Sequence, residues 1–198
     1  MRDRVFLEGE RLYLRILEPA DIEGNYQHWF DDPLVCQFNA HHHFPLSRSQ
    51  LEGYVNGVSS STSDLVLAMV LKERNLHFGN ISLQGIDWVS RNAEFAIIMG
   101  ERDCWGKGLS KEAAGLILQH GFAQLNLHRV YCGTSSQNIP MQRLARAMGF
   151  EQEGTRKQAI FKHHEYFDLV EFGLLESNWD VEKALPRKRF PDPSAQGG

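Results

Sequence analysis

One stretch, "DCWGKGLSKEAAG" (Asp103 to Gly115), constrains the fold more than any other. Gly106 and Gly108 bracket Lys107 directly ahead of a segment with helical spacing, so the chain turns tightly and then enters a helix. The apolar run "AEFAIIMG" precedes it and has the composition of a strand. A strand, a glycine turn and a helix N-terminus in that order offer unpaired amide hydrogens and the positive end of a helix dipole to an anion. Lys107 adds a cation there or points into solvent. The plainer alternative is a connection that needs glycine only for its geometry. Two other phosphate loops are excluded: the GxxxxGK[ST] spacing is absent, and no GxGxxG follows a first strand with an acid downstream.

Periodicity fills in the surroundings. "RLYLRIL" (Arg11 to Leu17) alternates as a half-buried strand, and "EPADIEGNYQHWF" puts Ile22, Tyr26 and Trp29 on one helical face after Pro19. Ser47 caps a short helix through Leu51, Tyr54 and Val58. "DLVLAMVL", "HFGNISLQGIDW" and "AEFAIIMG" make three antiparallel strands. "LSKEAAGLILQHGFAQL" is the strongest helix, with Leu109, Ala113, Leu116, Ile117 and Phe122 as its buried stripe. "HRVYCGTSS" is a strand, "IPMQRLARAM" a helix stopped by Gly149, and "AIFKHHEYFDLVEFGLL" two strands joined at His163–His164. Strands with helices dispersed among them give an α/β or α+β chain, one sheet covered by helices.

A chain of 198 residues fits a single domain with a full core. We place that domain at 1–180 and expect 181–198, basic and then rich in Pro and Gly, to be a loose tail. The formal net charge of −4 argues against non-specific nucleic-acid binding and suits a cationic substrate. Cys36, Cys104 and Cys132 share no metal-finger spacing, which fits a reducing cytoplasm. The start has no apolar signal core, and no stretch is long enough to span a bilayer, so no membrane partner is expected.

The "WGKG" turn, "KEA" in the next helix, "LHRV" entering the following strand and "N…GF…EG" after it follow one another in order. With "LEGERLYLRILEPADIEGNYQHWFDDPLV" before them and "YFDLVEFGLLESNW" after them, the chain resembles the GNAT N-acetyltransferases, in particular the RimJ/RimL-like branch. The resemblance implies a GNAT fold: a mixed, mostly antiparallel sheet of about seven strands, flanked by helices and split between the fourth and fifth strands. It also implies acetyl-CoA as co-substrate. The pantetheine arm is expected along Ile97, Ile98 and Met99, and the diphosphate on backbone N–H groups of Cys104, Trp105, Gly106, Lys107, Gly108, Leu109 and Ser110. Asp103 stands where the family pattern has Gln or Arg, a departure of small consequence if backbone groups bind the coenzyme. Asn138 either steadies the coenzyme arm or caps the helix behind it, and Arg143 either reaches a phosphate or is solvated.

Acetyl transfer to a primary amine needs a base for the amine, a donor for the developing oxyanion and an outlet for the thiolate. A strand N–H, from Ile98 or a neighbour, is the expected oxyanion donor. Glu94 is the candidate base: its strand reads as buried on both faces, which would raise its pKa, and a glutamate is frequent there in this branch. Its alternatives are exposure at the rim of the sheet or an ion pair with Arg91 or Arg102. A glutamate that some family members carry five residues before the asparagine is Gly133 here, and an acid tyrosine seven residues after it is Ala145. Ser135, Ser136 and Tyr166 are the remaining proton donors.

His41, His42 and His43 lie side by side in a turn-rich segment without an HxxxH or acidic partner, and no metal site is expected. They border the acceptor entrance or form plain surface. The expected function is acetylation of a primary amine, with a protein N-terminus foremost and a nucleotide-linked amino sugar or other small amine as the alternative. A non-catalytic acyl-CoA-binding module is the contrasting class. The oligomeric state is open between monomer and homodimer.

Overall fold

The computed structural model describes residues 5–39 and 44–185. Eight strands form one sheet: β1 (Leu7–Glu8), β2 (Leu12–Ile16), β3 (Leu65–Leu71), β4 (Leu76–Asp87), β5 (Asn92–Met99), β6 (Arg129–Ser135), β7 (Glu151–Lys162) and β8 (Glu165–Leu175). Their order is β1-β2-β3-β4-β5-β6-β8-β7. β1 is the strand beyond the expected seven, and its two residues are too short to show a period. Every pairing is antiparallel except β5 with β6. A parallel neighbour needs a crossover, and α3 (Leu109–Ala123) supplies it.

Alternation along the strands splits the apolar residues between two faces. Leu12, Leu14, Leu67, Met69, Ile81, Leu83 and Phe95 turn to one core, where α3 buries Leu109, Ala113, Ile117 and Phe122. The helix stripe is wider than its spacing suggests: Ala114 and Leu118 are buried too, while Leu116 is half-buried. α4 (Ile139–Ala147) adds Leu144 and Ala145 to this core. The chain stays packed beyond residue 180, because α5 (Val181–Ala184) buries Ala184 and a Cβ on Gly115 would come within 2.8 Å of Leu185.

The opposite face carries a smaller core over β2 and β3, formed by Tyr13, Val66, Ala68 and Val70 with Ile22, Tyr26, Trp29, Leu51 and Val55. The single helix expected from "EPADIEGNYQHWF" is two pieces, a 3-10 turn at Pro19–Glu23 and α1 (Tyr26–Trp29). Gly24, at φ −90° and ψ −150°, is extended and interrupts the helix, yet Ile22, Tyr26 and Trp29 remain buried together. α2 (Arg48–Ser59) starts at Ser47 as expected, through a capping box with Gln50. Val55, one turn after Leu51, is buried in place of Tyr54, which is exposed. His163 and His164 form the two-residue turn between β7 and β8, with φ of 52° and 65° as such hairpins require.

This smaller core encloses charge. Arg15 donates to both carboxylate oxygens of Asp21 at 2.8 and 2.6 Å, and His77 Nδ1 lies 3.3 Å from Asp21. Burial alone would raise the Asp21 carboxyl, but the Arg15 and His77 contacts outweigh it and hold it well below the usual carboxylate range. A carboxylate with a depressed folded pKa stabilises above its unfolded value of about 4, and that stability disappears as pH falls through the folded value. Replacement Asp21→Ala is expected to cost about 3 kcal/mol at pH 7, since it leaves Arg15 buried without its counter-ion. In urea melts the gap to wild type should narrow below about pH 4; a gap constant from pH 7 to 2 would contradict this account.

Candidate active site

The site begins where two strands part. β5 and β6 pair only at Asn92–Arg129, Ala93–Val130 and Glu94–Tyr131, after which β5 keeps only its β4 neighbour. The parity of β5 follows from its two ends. Arg91 C=O accepts from His128 N–H at 2.7 Å on the β6 side, whereas Gly100 N–H donates to Phe78 C=O at 2.9 Å on the β4 side. Strand alternation then points the N–H and C=O of Ile97 and Met99 into the gap and those of Ile98 at β4. The Ile98 amide is therefore committed within the sheet, and of the expected oxyanion donors, Ile98 or a neighbour, it is the neighbour Ile97 whose N–H faces the gap. Met99 C=O is taken up by the indole N–H of Trp105 at 2.9 Å.

Beyond β5 the chain makes a single 3-10 turn at Arg102–Cys104 and enters the glycine turn. Cys104 N–H donates to Glu101 C=O and Trp105 N–H to Arg102 C=O, both at 3.0 Å, so these two amides are unavailable to an anion. Gly106 and Gly108 take φ of 71° and 73°, the left-handed region where a Cβ is penalised. The first backbone bond into α3 is Glu112 N–H to Gly108 C=O. The N–H groups of residues 106–111 have no partner among the described residues, and no side chain caps the helix. The free set thus starts two residues later than expected and includes Lys111, which counting the first three helical amides would have found.

Charge fixes the turn in place. Arg11 donates from its backbone N–H and its Nε to the two oxygens of buried Glu112, at 2.8 and 2.9 Å, and from Nη1 to Lys107 C=O at 2.8 Å. A cleft of about 610 Å³ lies beside it, lined by the basic side chains of Arg11, Lys72, Arg74 and Lys107 and by the carboxylates Glu10 and Glu73, among others. Unpaired amides, a helix N-terminus and four basic side chains against two carboxylates fit a diphosphate. Cys104 is buried, and burial pushes its thiol up, so it is no nucleophile.

The second cleft, about 480 Å³, opens on the face opposite α3 and is lined by Glu94, Tyr131, Gly133, Glu153, Arg156 and Glu171, among others. Glu94 is exposed, the rim position that stood as an alternative to burial. Burial of "FAII" misled the expectation, since odd residues of β5 face the α3 core while Glu94, Ala96 and Ile98 face away. The ion pairs foreseen for Glu94 do not form either: Arg102 meets Asp32 at 3.5 Å, and Arg91 donates to Asn126 at 3.3 Å. Within the cleft Glu153 pairs with Arg129, and Glu171 with Arg156 at 3.1 Å, which leaves Glu94 as the carboxylate without an ion pair among the described residues. Tyr131, directly across from Glu94, was not singled out in the sequence; a residue's place in the β5–β6 register is visible only in three dimensions.

Asn138 is occupied as a helix cap: its Oδ1 accepts from Met141 N–H at 3.2 Å and its Nδ2 donates to Thr134 Oγ1 at 2.9 Å. Arg143 is exposed on α4. Ala145 is buried, and Ser135 is buried with its hydroxyl accepting from Gln137 N–H at 3.3 Å. Tyr166 packs on Phe161 near the end of the β7–β8 hairpin, three residues past the last β8 residue paired to β6. His41, His42 and His43 lie outside the described residues, among which no cluster of metal-binding side chains occurs.

Residues 11–151 match the family model of the acetyltransferase (GNAT) domain. An uncharacterized N-acetyltransferase of Bacillus licheniformis, p20, is 26% identical over 174 residues, which span 87% of this chain and 97% of that protein. Spermidine N(1)-acetyltransferase of Escherichia coli K12 is 30% identical over 118 residues, 60% of this chain and 63% of the relative. The crystal structure of spermidine N-acetyltransferase from Vibrio cholerae in complex with CoA and spermine matches with a TM-score of 0.78 at 24% identity, covering 85% of this chain and 97% of that one. At that identity the likeness shows a shared fold.

Substitution Gly106→Ala tests the turn cleanly, because its Cβ would meet nothing within 4 Å and only the left-handed backbone is penalised. It should cost about 1 kcal/mol in urea melts and weaken CoA binding at least about fivefold in calorimetry as the turn relaxes. Wild-type affinity in a variant destabilised to that extent would separate the turn from coenzyme binding.

Proposed function

The chain belongs to the GNAT acetyltransferase family, an acetyl-CoA-dependent N-acetyltransferase, and we propose that its acceptor is the α-amine of a polypeptide N-terminus presented at Glu94. The observation that carries this reading is an unpaired, exposed carboxylate in a cleft that adjoins the open edge of β5. The face it opens on carries no helix over β6, β8 and β7 among the described residues, which leaves room for an extended chain.

Each side chain then has a task. Residues 106–111 hold the diphosphate through backbone N–H groups, with Lys107 contributing charge, and the arm lies against Ile97 and Met99. Trp105 fixes the end of that edge through Met99 C=O. When bound, acetyl-CoA supplies a thioester carbonyl open to attack by a neutral amine. Ile97 N–H is aimed to donate to that carbonyl oxygen as negative charge grows on it. Glu94 takes the proton from the amine, directly or through a water. Gly133 and Ala145 provide no acid, and none is compulsory, because a thiol of pKa about 8.5 can leave as the thiolate.

The exposure of Glu94 favours an α-amine. A polypeptide α-amine has a pKa of about 7.7–8.0, against about 10.4 for a lysine-like amine, so a much larger share is already neutral near pH 7.5. A polyamine is the second reading, supported by the spermidine acetyltransferase relative and by the surplus carboxylate of the cleft. We place the whole catalytic apparatus in one domain that includes α5, and we assign the protein to the cytoplasm, in keeping with three cysteines that are all unpaired. No helix among the described residues is long and apolar enough to cross a membrane.

A side-by-side panel of peptides with free N-termini, spermidine and an amino sugar nucleotide, followed by release of free thiol, tests the acceptor. The peptides should give the highest kcat/KM, and replacement Glu94→Gln should lower it by roughly 10²-fold with CoA affinity unchanged. A clear preference for spermidine would replace the first reading with the second.

A further inference from the structure

Residues 31–39 leave α1 on the face of the sheet that carries Glu94, and they are fastened on both sides of the split. On the β5 side, Arg102 meets Asp32 at 3.5 Å, and α1 directly before the segment is held by Trp29 Nε1 and Asn25 Nδ2 donating to Glu101 Oε1 at 2.8 and 3.0 Å. On the far side, Lys162 at the end of β7 donates its ammonium to the carbonyls of Cys36 and Asn39, the latter at 2.7 Å. Between these points the segment is braced from within: Leu34 N–H donates to Asp32 Oδ1 at 2.8 Å and Cys36 N–H to Asp32 C=O at 3.0 Å. Lys162 pairs in register with Glu165, which by alternation shares a face with Leu169 and Glu171 of the cleft.

A lysine beside a hairpin turn ordinarily extends into water, where its ammonium is strongly hydrated and its stem keeps its rotamers. Lys162 is half-buried and directs its donors to two carbonyls more than 120 residues away in the chain. Desolvation draws its ammonium to a lower pKa. What these contacts secure is the position of 31–39 relative to the hairpin.

We propose that residues 31–39 form a strap across the acceptor side of the split and that Lys162 is a positioning residue which sets the strap's distance from the cleft, thereby selecting the amine by the bulk that follows it. This rests on the reading that the acceptor enters at Glu94. Steady-state kinetics with a small amine and a hexapeptide test it on wild type, Lys162→Met, Lys162→Arg and Asp32→Asn, the last loosening the strap at its other end. Lys162→Met should raise KM for the amines by about five- to tenfold and narrow the preference between the two, while KM for acetyl-CoA and kcat hold. Lys162→Arg should restore both, and Asp32→Asn should shift them in the same direction as Lys162→Met. Wild-type acceptor KM and preference in Lys162→Met would overturn the proposal, and if that variant fails to fold, the same result in Asp32→Asn overturns it. Should wild type release no thiol with any amine, the acceptor reading fails by itself. Amide exchange over 31–39 then decides the strap: faster exchange in Lys162→Met supports it, and unchanged exchange refutes it.

Discussion

The parting of β5 from β6 after Glu94 and Tyr131 is the constraint on which the rest depends. A strand inside a sheet normally spends every N–H and C=O on its neighbours, and an unspent pair is costly unless water or a ligand meets it. β5 is bonded on its β4 side to its end, while on the other side Ile97 and the Met99 N–H face the gap and the Met99 C=O is held by the Trp105 indole. That edge runs directly into the left-handed turn at Gly106 and Gly108, which leaves the amides of 106–111 unspent as well. A line of unpaired donors thus extends from the middle of the sheet to the mouth of α3, interrupted where the amides of Gly100, Glu101, Cys104 and Trp105 are spent on the backbone.

Holding such a line open takes rigid support, and the support is electrostatic at both ends. Glu112 and Arg11 fix the start of α3 and the carbonyl of Lys107. Behind the other face, Arg15, Asp21 and His77 form a buried charged cluster beside Trp29, whose indole rests so closely on Gly100 that any Cβ there would collide with it. Gly100 follows the last residue of β5, so the end of that strand is set by a ring stacked on bare backbone. One strand thus presents two different surfaces: odd residues turn their backbone groups to the gap, and Glu94 turns its side chain to the face opposite α3.

Much of this was legible in the sequence because it depends on local periodicity. The glycine turn, the helix at 109, the Ser47 cap and the His163–His164 hairpin follow from residue types at fixed offsets. What was not legible depends on neighbours distant in the chain. Glu94 precedes an apolar run and looks buried, but only its alternation relative to α3 reveals that it faces outward. The commitment of the Ile98 amide to β4 is likewise a matter of pairing parity. Lys162 looks like any hairpin lysine until the fold brings Cys36 and Asn39 beneath it. Cys104 and Trp105 enter the expected diphosphate set through the family resemblance, and the small 3-10 turn that consumes their amides carries no distinctive sequence signal.

The most direct test is residue-resolved amide exchange by NMR, without and with saturating CoA. Exchange should slow at Ile97, at Met99 and from Gly106 to Lys111, while Ile98, already bonded within the sheet, should be protected to the same degree in both states. Protection that appears at Ile98, Cys104 and Trp105 instead, with 106–111 unchanged, would contradict the account.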